Sequence, residues 1–394
     1  MSKRLKILLI SMAIIMLFAS GYGLSAFLYT YKESRACMAP LVNGPFLLPE
    51  HKPVRATPLT ITDYPHPPFG WDKKADLNFV TPDHQLNFHH VRQKNGYPEF
   101  WFSRVGSGKT LLYSVIFKEN LDVTKFELPR RTIPGFNQGK VYAIAIDEFS
   151  SQVSIYRLND ETIQFDMIIK ETGIQADLIL DIAFGERDII WILAYSYGRG
   201  HERAIYAVSL TTNNVVKHVS ENSMIIEIET DSTGSLFYTA YSAEPDKGTK
   251  IVHVMDGSEK IITTYTPPME AYFMVPTHLL VSDDDQLWLG NVFWNPKAGY
   301  LYDLRVVIPP PLFVNKNMRY GIVVESPSPQ EVTEDGRVWF KSDRGLTWHQ
   351  PETGEWCMFT TADSNIVKDD EGNLWIIYNN ALYMLPAEET KAKG

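Results

Sequence analysis

The feature that most constrains the fold is a unit that recurs along the chain. It has an acidic or glycine-containing turn, a short strand centred on an aromatic residue, then a second turn and strand. The plainest copies are SDDDQLWLGNVFW from Ser282, TEDGRVWFKSDRGLTW from Thr333 and KDDEGNLWIIYNNALYML from Lys368. Looser copies begin at Gly185 (GERDIIWILAY) and Asp231 (DSTGSLFYTAY), and GKVYAIAI and PEFWFSRV extend the series backwards. Aligning the central aromatics gives Trp101, Tyr142, Trp191, Phe237, Trp288, Trp339 and Trp375, at intervals of 41, 49, 46, 51, 51 and 36 residues. One four-stranded propeller blade needs about 40–50 residues. From about residue 76 onward no amphipathic helix interrupts the strand-and-turn pattern.

The chain therefore reads as all-β over residues 74–387, a β-propeller of about seven four-stranded blades, with six or eight also compatible with the spacing. A blade cannot bury both its faces alone, so radial stacking and ring closure follow from the pattern. The last unit supplies only three strands, in NIVKDD, NLWIIY and ALYMLP. A strand from the start of the domain, within KADLNFV at 74–80, is expected to complete it and tie the chain ends together. Residues 388–394 form a charged tail.

Composition fits this class. Tyr, Phe and Trp number 20, 20 and 9, and aromatic side chains pack well on a pleated surface. The formal net charge of −10 argues against a nucleic-acid partner, whose phosphates demand a basic surface. The two cysteines, Cys37 and Cys357, exclude a disulfide-dense scaffold. A single bridge between them and a pair of free thiols both remain open.

The N-terminus reads separately. A basic stub at 1–6, with Lys3, Arg4 and Lys6, precedes 23 residues (7–29) that carry no charged side chain. As a helix this stretch would reach ~34 Å, enough to cross a hydrocarbon core. The basic flank predicts a cytoplasmic N-terminus, so the propeller is expected outside the cytoplasm on a single-pass membrane anchor. A cleaved signal peptide is the competing reading, because 7–18 has the length of a signal core and Ala19-Ser20-Gly21 offers small residues. Both export the protein. Residues 30–73 read as a proline-rich stalk, with eight prolines between 40 and 71 that disfavour helix.

The stretch DGRVWFKSDRGLTWHQPETGEWCMF continues into the last unit. It resembles the propeller repeats in sensor regions of bacterial two-component regulators. The matching positions are Asp335-Gly336 at the turn, Val338-Trp339 in the strand, Gly345-Leu346 at the next turn and Pro351-Glu352-Thr353-Gly354 after it. The resemblance is good over 330–386, fair over 278–300 and weaker earlier. It implies a fold and not an activity, and with no kinase-like or DNA-binding region after it, signalling is not implied. DRGLTW at 343–348 also matches the core of the Asp-box turn of sialidase-like propellers, with Lys341 where that turn has its leading Ser. A sialidase site would further need an arginine cluster and a tyrosine–carboxylate pair, which the sequence does not assign.

SRVGSGKTLL at 103–112 looks like a nucleotide phosphate loop, but Ser103 occupies the place of its first glycine. The following TLLYSVIF is rich in strand formers, whereas a phosphate site needs a helix N-terminus there. The stretch predicts a glycine-turned hairpin, and no nucleotide site is assigned. The carboxylates of SDDD (282–285) and KDDEGN (368–373) lack the ladder of a calcium loop and read as acidic hairpin turns. His89 and His90 should face opposite sides of a strand, so no metal or other cofactor is predicted.

Two longer polar excursions supply the candidate ligand-binding residues: Tyr197, Arg199, His201 and Arg203 in SYGRGHER, and Phe293, Trp294 and Lys297 in NVFWNPKAGY. No recurring His, Glu or Asp position announces catalysis. The expectation is therefore an exported, membrane-tethered propeller that binds a protein, small molecule or glycan without catalysis. The alternatives are an extracytoplasmic propeller hydrolase or lyase acting on a polymer or glycoside, and a structural subunit of an envelope complex.

Overall fold

In the computed structural model the described residues are 37–38, 72–77 and most of 86–390. The longer breaks fall at 198–201, 219–223, 242–247, 266–277, 296–299, 309–321, 324–327, 351–354 and 359–364. The stretch read as membrane anchor (7–29), residues 391–394 of the charged tail, and all but four residues of the stalk lie outside them.

Seven antiparallel four-stranded units make up the ring, the first six each a meander of consecutive strands. Blade 1 is Asn87–Lys94, Tyr97–Val105, Lys109–Phe117 and Leu121–Pro129. Blade 2 is Thr132–Asn137, Lys140–Ile146, Val153–Asn159 and Gln164–Ile169, and blade 3 is Leu178–Phe184, Ile189–Ser196, Glu202–Ser209 and Val215–His218. Blade 4 comprises Met224–Thr230, Leu236–Tyr241, Thr249–Met255 and Ser258–Tyr265, and blade 5 Leu279–Val281, Leu287–Leu289, Val292–Asn295 and Tyr300–Asp303. Blade 6 holds Ser328–Val332, Val338–Ser342, Gly345–Gln350 and Glu355–Met358. Blade 7 has Val367–Lys368, Leu374–Tyr378 and Ala381–Leu385, and Asp72–Asp76 pairs with the last of these as its fourth strand. The expected closure strand is therefore present, displaced slightly toward the N-terminus of its anticipated position. The first strands of successive blades pack on one another from blade 2 through blade 7 to blade 1, so they form the inner wall of the ring.

Each anchor aromatic sits on the second strand of its blade, against a neighbouring blade. Trp101 packs with Leu112 and Phe126 against Val141 and Ala143 of blade 2. Trp375 of blade 7 meets Phe100 of blade 1 edge-on at 4.8 Å, sealing the junction where the ends of the domain meet. Trp101, Trp288 and Trp339 are fully buried, and burying a large apolar side chain contributes about 1.5–3 kcal/mol. This is why the aromatic interval tracked the blades.

The turn before each anchor explains the acidic pattern. In blade 7 Asp369 Oδ1 accepts from the N–H groups of Glu371 and Asn373 at 3.0 and 2.9 Å, while Oδ2 accepts the Trp375 indole N–H at 2.8 Å. One carboxylate thus closes the hairpin and positions the anchor. Asp231 Oδ1 does the same for Thr233 and Ser235 in blade 4, and Ser282 Oγ accepts from Gln286 N–H in blade 5. Blade 3 has Gly185 in that place. A Cβ there would lie 2.7 Å from Trp191 Nε1, and this indole N–H has no partner among the described residues.

Candidate functional site

The inner strands of blades 3, 4 and 5 bring four titratable groups together. Asp181, Glu227 and His278 stand at one equivalent position, each ten residues ahead of its blade's anchor aromatic (Trp191, Phe237 and Trp288). Glu229 lies two residues beyond Glu227. Pairing registers slip between Ile179 and Asp181 and between Ile225 and Glu227, so a bulge immediately precedes each carboxylate. The same slip recurs between Phe88 and His90 in blade 1 and between Pro329 and Glu331 in blade 6, so it belongs to the repeat.

Cross-blade hydrogen bonds hold the cluster. Asp181 accepts from its neighbour Ile182 N–H at 2.9 Å and from Ile228 N–H of blade 4 at 3.0 Å. Glu227 accepts from the N–H of Leu279 in blade 5 and lies 3.4 Å from His278 Nδ1. Arg203 Nη1 donates to Ile225 O at 2.8 Å, tying the third strand of blade 3 to the same inner strand of blade 4. Next along the wall, Lys368 Nζ of blade 7 donates to Glu331 of blade 6 at 2.7 Å, and Lys341 Nζ donates to Asn365 Oδ1 at 3.0 Å.

The electrostatics set these carboxyls apart. Enclosure by protein, reinforced by the charge of Glu227, pushes Asp181 up to about 7. Glu229 is pushed well above the carboxylate range by enclosure first, then by the charges of Asp181 and Glu227. His278 is raised, chiefly by its contact with Glu227. Each of these side chains keeps partial exposure to solvent. Three acidic groups in a low-dielectric wall are costly to the fold. The arrangement offers a carboxyl that exchanges its proton near neutrality, a second carboxyl of raised proton affinity and a Glu–His pair able to relay a proton.

The residues anticipated from sequence fall elsewhere. Tyr197 is 56% exposed at the end of a blade 3 strand, its ring edge-on to Tyr195 at 4.7 Å. Arg203 belongs to a strand and lies 5.8 Å over the Tyr195 ring, so it braces blades 3 and 4. Phe293 and Trp294 were expected in a loop but occupy the third strand of blade 5, paired with Trp288 and Leu287. Arg199, His201 and Lys297 lie outside the described residues.

The phosphate-like loop is a hairpin, as read. Val105 pairs with Thr110, Gly106 N–H donates to Lys109 O, and Lys109 forms an ion pair with Glu127. The two adjacent histidines do not face apart, because the register slips between Phe88 and His90 and both rings stack toward Phe136. Burial lowers His89 to about 4, and its Nε2 lies 2.6 Å from Ser103 Oγ. Asp181, Glu227, Glu229 and His278 were missed, although counting ten residues back from each anchor would have found three of them.

No protein-family model matches the sequence, and no curated protein matches it. Solved structures do. The extracellular domain of the putative one component system BT4673 from B. thetaiotaomicron is 11% identical, with a TM-score of 0.46 over 76% of this chain and 40% of that one. A Mycobacterium tuberculosis puromycin-hydrolyzing peptidase is 14% identical, with a TM-score of 0.47 over 79% and 52%. The Pyrococcus horikoshii acylaminoacyl peptidase is 9% identical, with a TM-score of 0.47 over 76% and 51%. The seven four-stranded sheets themselves make the chain a β-propeller, and it spans about half of each of these proteins or less. At such identities the likeness is one of fold.

The expectation of a binding module without catalysis is corrected here. Peptidases and hydrolases are among the similar structures, and the inner wall carries acid–base groups that the repeat pattern had not announced.

Proposed function

We propose that this chain is an extracytoplasmic propeller hydrolase that cleaves a glycoside or polysaccharide by carboxyl acid–base chemistry. The observation that carries this reading is the Asp181–Glu227–Glu229–His278 cluster on the inner wall, where Asp181 is pushed up to about 7 and Glu229 well above the usual carboxylate range. Asp181 acts as general acid, donating its proton to the leaving glycosidic oxygen as the bond to the anomeric carbon breaks. Glu227, oriented by Leu279 N–H and His278, takes the proton of the attacking water. Two carboxyls with divergent proton affinities are what glycoside hydrolysis needs. The raised proton affinity of Glu229 limits repulsion around the acid.

Residues 7–29 serve as the membrane anchor in this reading, with the ring outside the cytoplasm. The support is the uncharged 23-residue stretch and its basic flank. Among the described residues no helix is long and apolar enough to cross a membrane.

The test is release of reducing ends from a panel of soluble polysaccharides and aryl glycosides by the purified protein. Activity that disappears in both Asp181→Asn and Glu227→Gln supports the assignment. Equal activity in the two variants and the parent protein, or no release from any member of the panel, refutes it.

A further inference from the structure

The segment ahead of the ring touches it at one described place. Cys37–Met38 pairs antiparallel with Glu355–Met358, the outermost strand of blade 6, in the register Cys37↔Cys357 and Met38↔Trp356. The chain has two cysteines, 320 positions apart, and this register sets them directly opposite. Opposed residues of an antiparallel pair share a face, with Cα atoms about 4.5 or 5.5 Å apart according to the hydrogen-bond pattern. Both separations lie within the Cα range of disulfides, about 4.4–6.8 Å. We propose that Cys37 and Cys357 form a disulfide that staples the N-terminal segment to the outer edge of blade 6.

The bond forms by thiol–disulfide exchange with a small-molecule disulfide or a dithiol oxidoreductase of an oxidising compartment. One cysteine thiolate attacks the oxidant's disulfide, forming a mixed disulfide and expelling the first thiolate. The second cysteine thiolate then attacks the mixed-disulfide sulfur on the protein and expels the other. Two protein thiols are oxidised to one disulfide, the oxidant's disulfide is reduced to two thiols, and the two protons pass to the released thiolates.

The consequence is architectural. The Asp72–Asp76 strand already holds the start of the domain on the outer edge of blade 7. With the staple in place, residues 39–71 connect two fixed points on adjacent blades and no longer act as a free stalk. The uncharged stretch at 7–29 is then joined to blade 6 by the seven residues 30–36, a reach of at most ~25 Å.

The test uses the full chain in detergent, equilibrated with a mixture of glutathione and glutathione disulfide, then unfolded in N-ethylmaleimide and digested with trypsin. The expected product is a single species joining peptides 36–55 and 345–368, free of maleimide, from protein that runs as a monomer on a non-reducing gel. Prior reduction should convert it to the two peptides with one maleimide each. In Cys357→Ser the peptide 36–55 should react with maleimide without reduction. Maleimide or glutathione on both wild-type peptides, or a disulfide-linked dimer, overturns the proposal. Supplying the oxidant makes the result independent of the hydrolase assignment, which fails or stands on the activity assay alone.

Discussion

Two clusters of acidic side chains, one in blade 1 and one spanning blades 3 to 5, show how differently this fold treats enclosed charge. Glu99 is fully buried, yet it faces Arg92, accepts from Ser114 Oγ at 2.6 Å and Trp101 Nε1 at 3.2 Å, and lies 3.3 Å from Lys94 Nζ. Arg92 in turn reaches Gly139 O and Asp160 of blade 2, so the network clasps two blades. Asp181, Glu227 and Glu229 are surrounded instead by one another and by backbone N–H groups, with His278 as the nearby titratable partner. The first cluster satisfies its charge. The second raises the proton affinity of Asp181 and Glu229 and leaves them in reach of solvent. In the proposed reading the difference separates a clasp from a reactive site: poorly compensated acids are retained where their protons are used.

The comparison is sharpest in catalysis. Asp181→Asn and Glu227→Gln should each lower kcat/KM on a cleaved glycoside by roughly 10²–10⁴-fold, while circular dichroism shows the strand content unchanged. A loss of folding in both variants would place the cluster among structural networks with Glu99.

Next in size is Glu99→Ala, which leaves Arg92 buried without its closest carboxylate. Urea unfolding should register a loss of about 3–5 kcal/mol, the usual cost of breaking a buried pair from one side. A loss below about 1 kcal/mol would mean that Asp160 and Gly139 suffice for Arg92.

Asp369→Ala removes the acceptor shared by two turn N–H groups and the Trp375 indole. The expected cost is about 2 kcal/mol, since buried donors are left unpaired. Asp369→Asn keeps one acceptor oxygen and should recover part of it in the same denaturation experiment.

The smallest expected effect runs the other way. Unfolded Asp181 ionises near the ordinary 3.8, whereas the folded group ionises at about 7. Between these values the unfolded state binds fewer protons, so this residue's contribution to stability falls as pH rises and reaches its full cost above about 7. Asp181→Asn should therefore match the parent protein below pH 4 and exceed it by about 1–2 kcal/mol at pH 8, a range that allows for solvent screening. Melting curves from pH 4 to 8 would show the gap opening. A gap that closes with rising pH would contradict the raised proton affinity.

The blades were legible because one residue type does one job in each of them. A large aromatic on the second strand fills an interblade contact, and an oxygen-bearing side chain six residues earlier ties the turn in four of the seven, at Asp231, Ser282, Thr333 and Asp369. That pair repeats at the blade spacing and survives as a sequence pattern. The hairpin at 103–112 was legible for a similar reason, since a glycine turn between strand formers is a local matter. The adjacent histidines were misjudged because a single bulge cancels the alternation on which the argument rested.

The catalytic candidates were not legible as a motif. Asp, Glu and His differ in type, so the ten-residue offset from the anchors carries no repeating letter. Their meaning arises only when three blades set their inner strands side by side. The same holds for Cys37 and Cys357, whose opposition depends on a two-residue bridge between distant parts of the chain. The sequence by itself determined the all-β class, the blade interval and the closure by an N-terminal strand, because these follow from short-range periodicity and turn chemistry. Only the tertiary structure decided which charges meet. Proton affinity depends on what surrounds a group in space, and the ring brings together residues that the chain keeps about 50 positions apart.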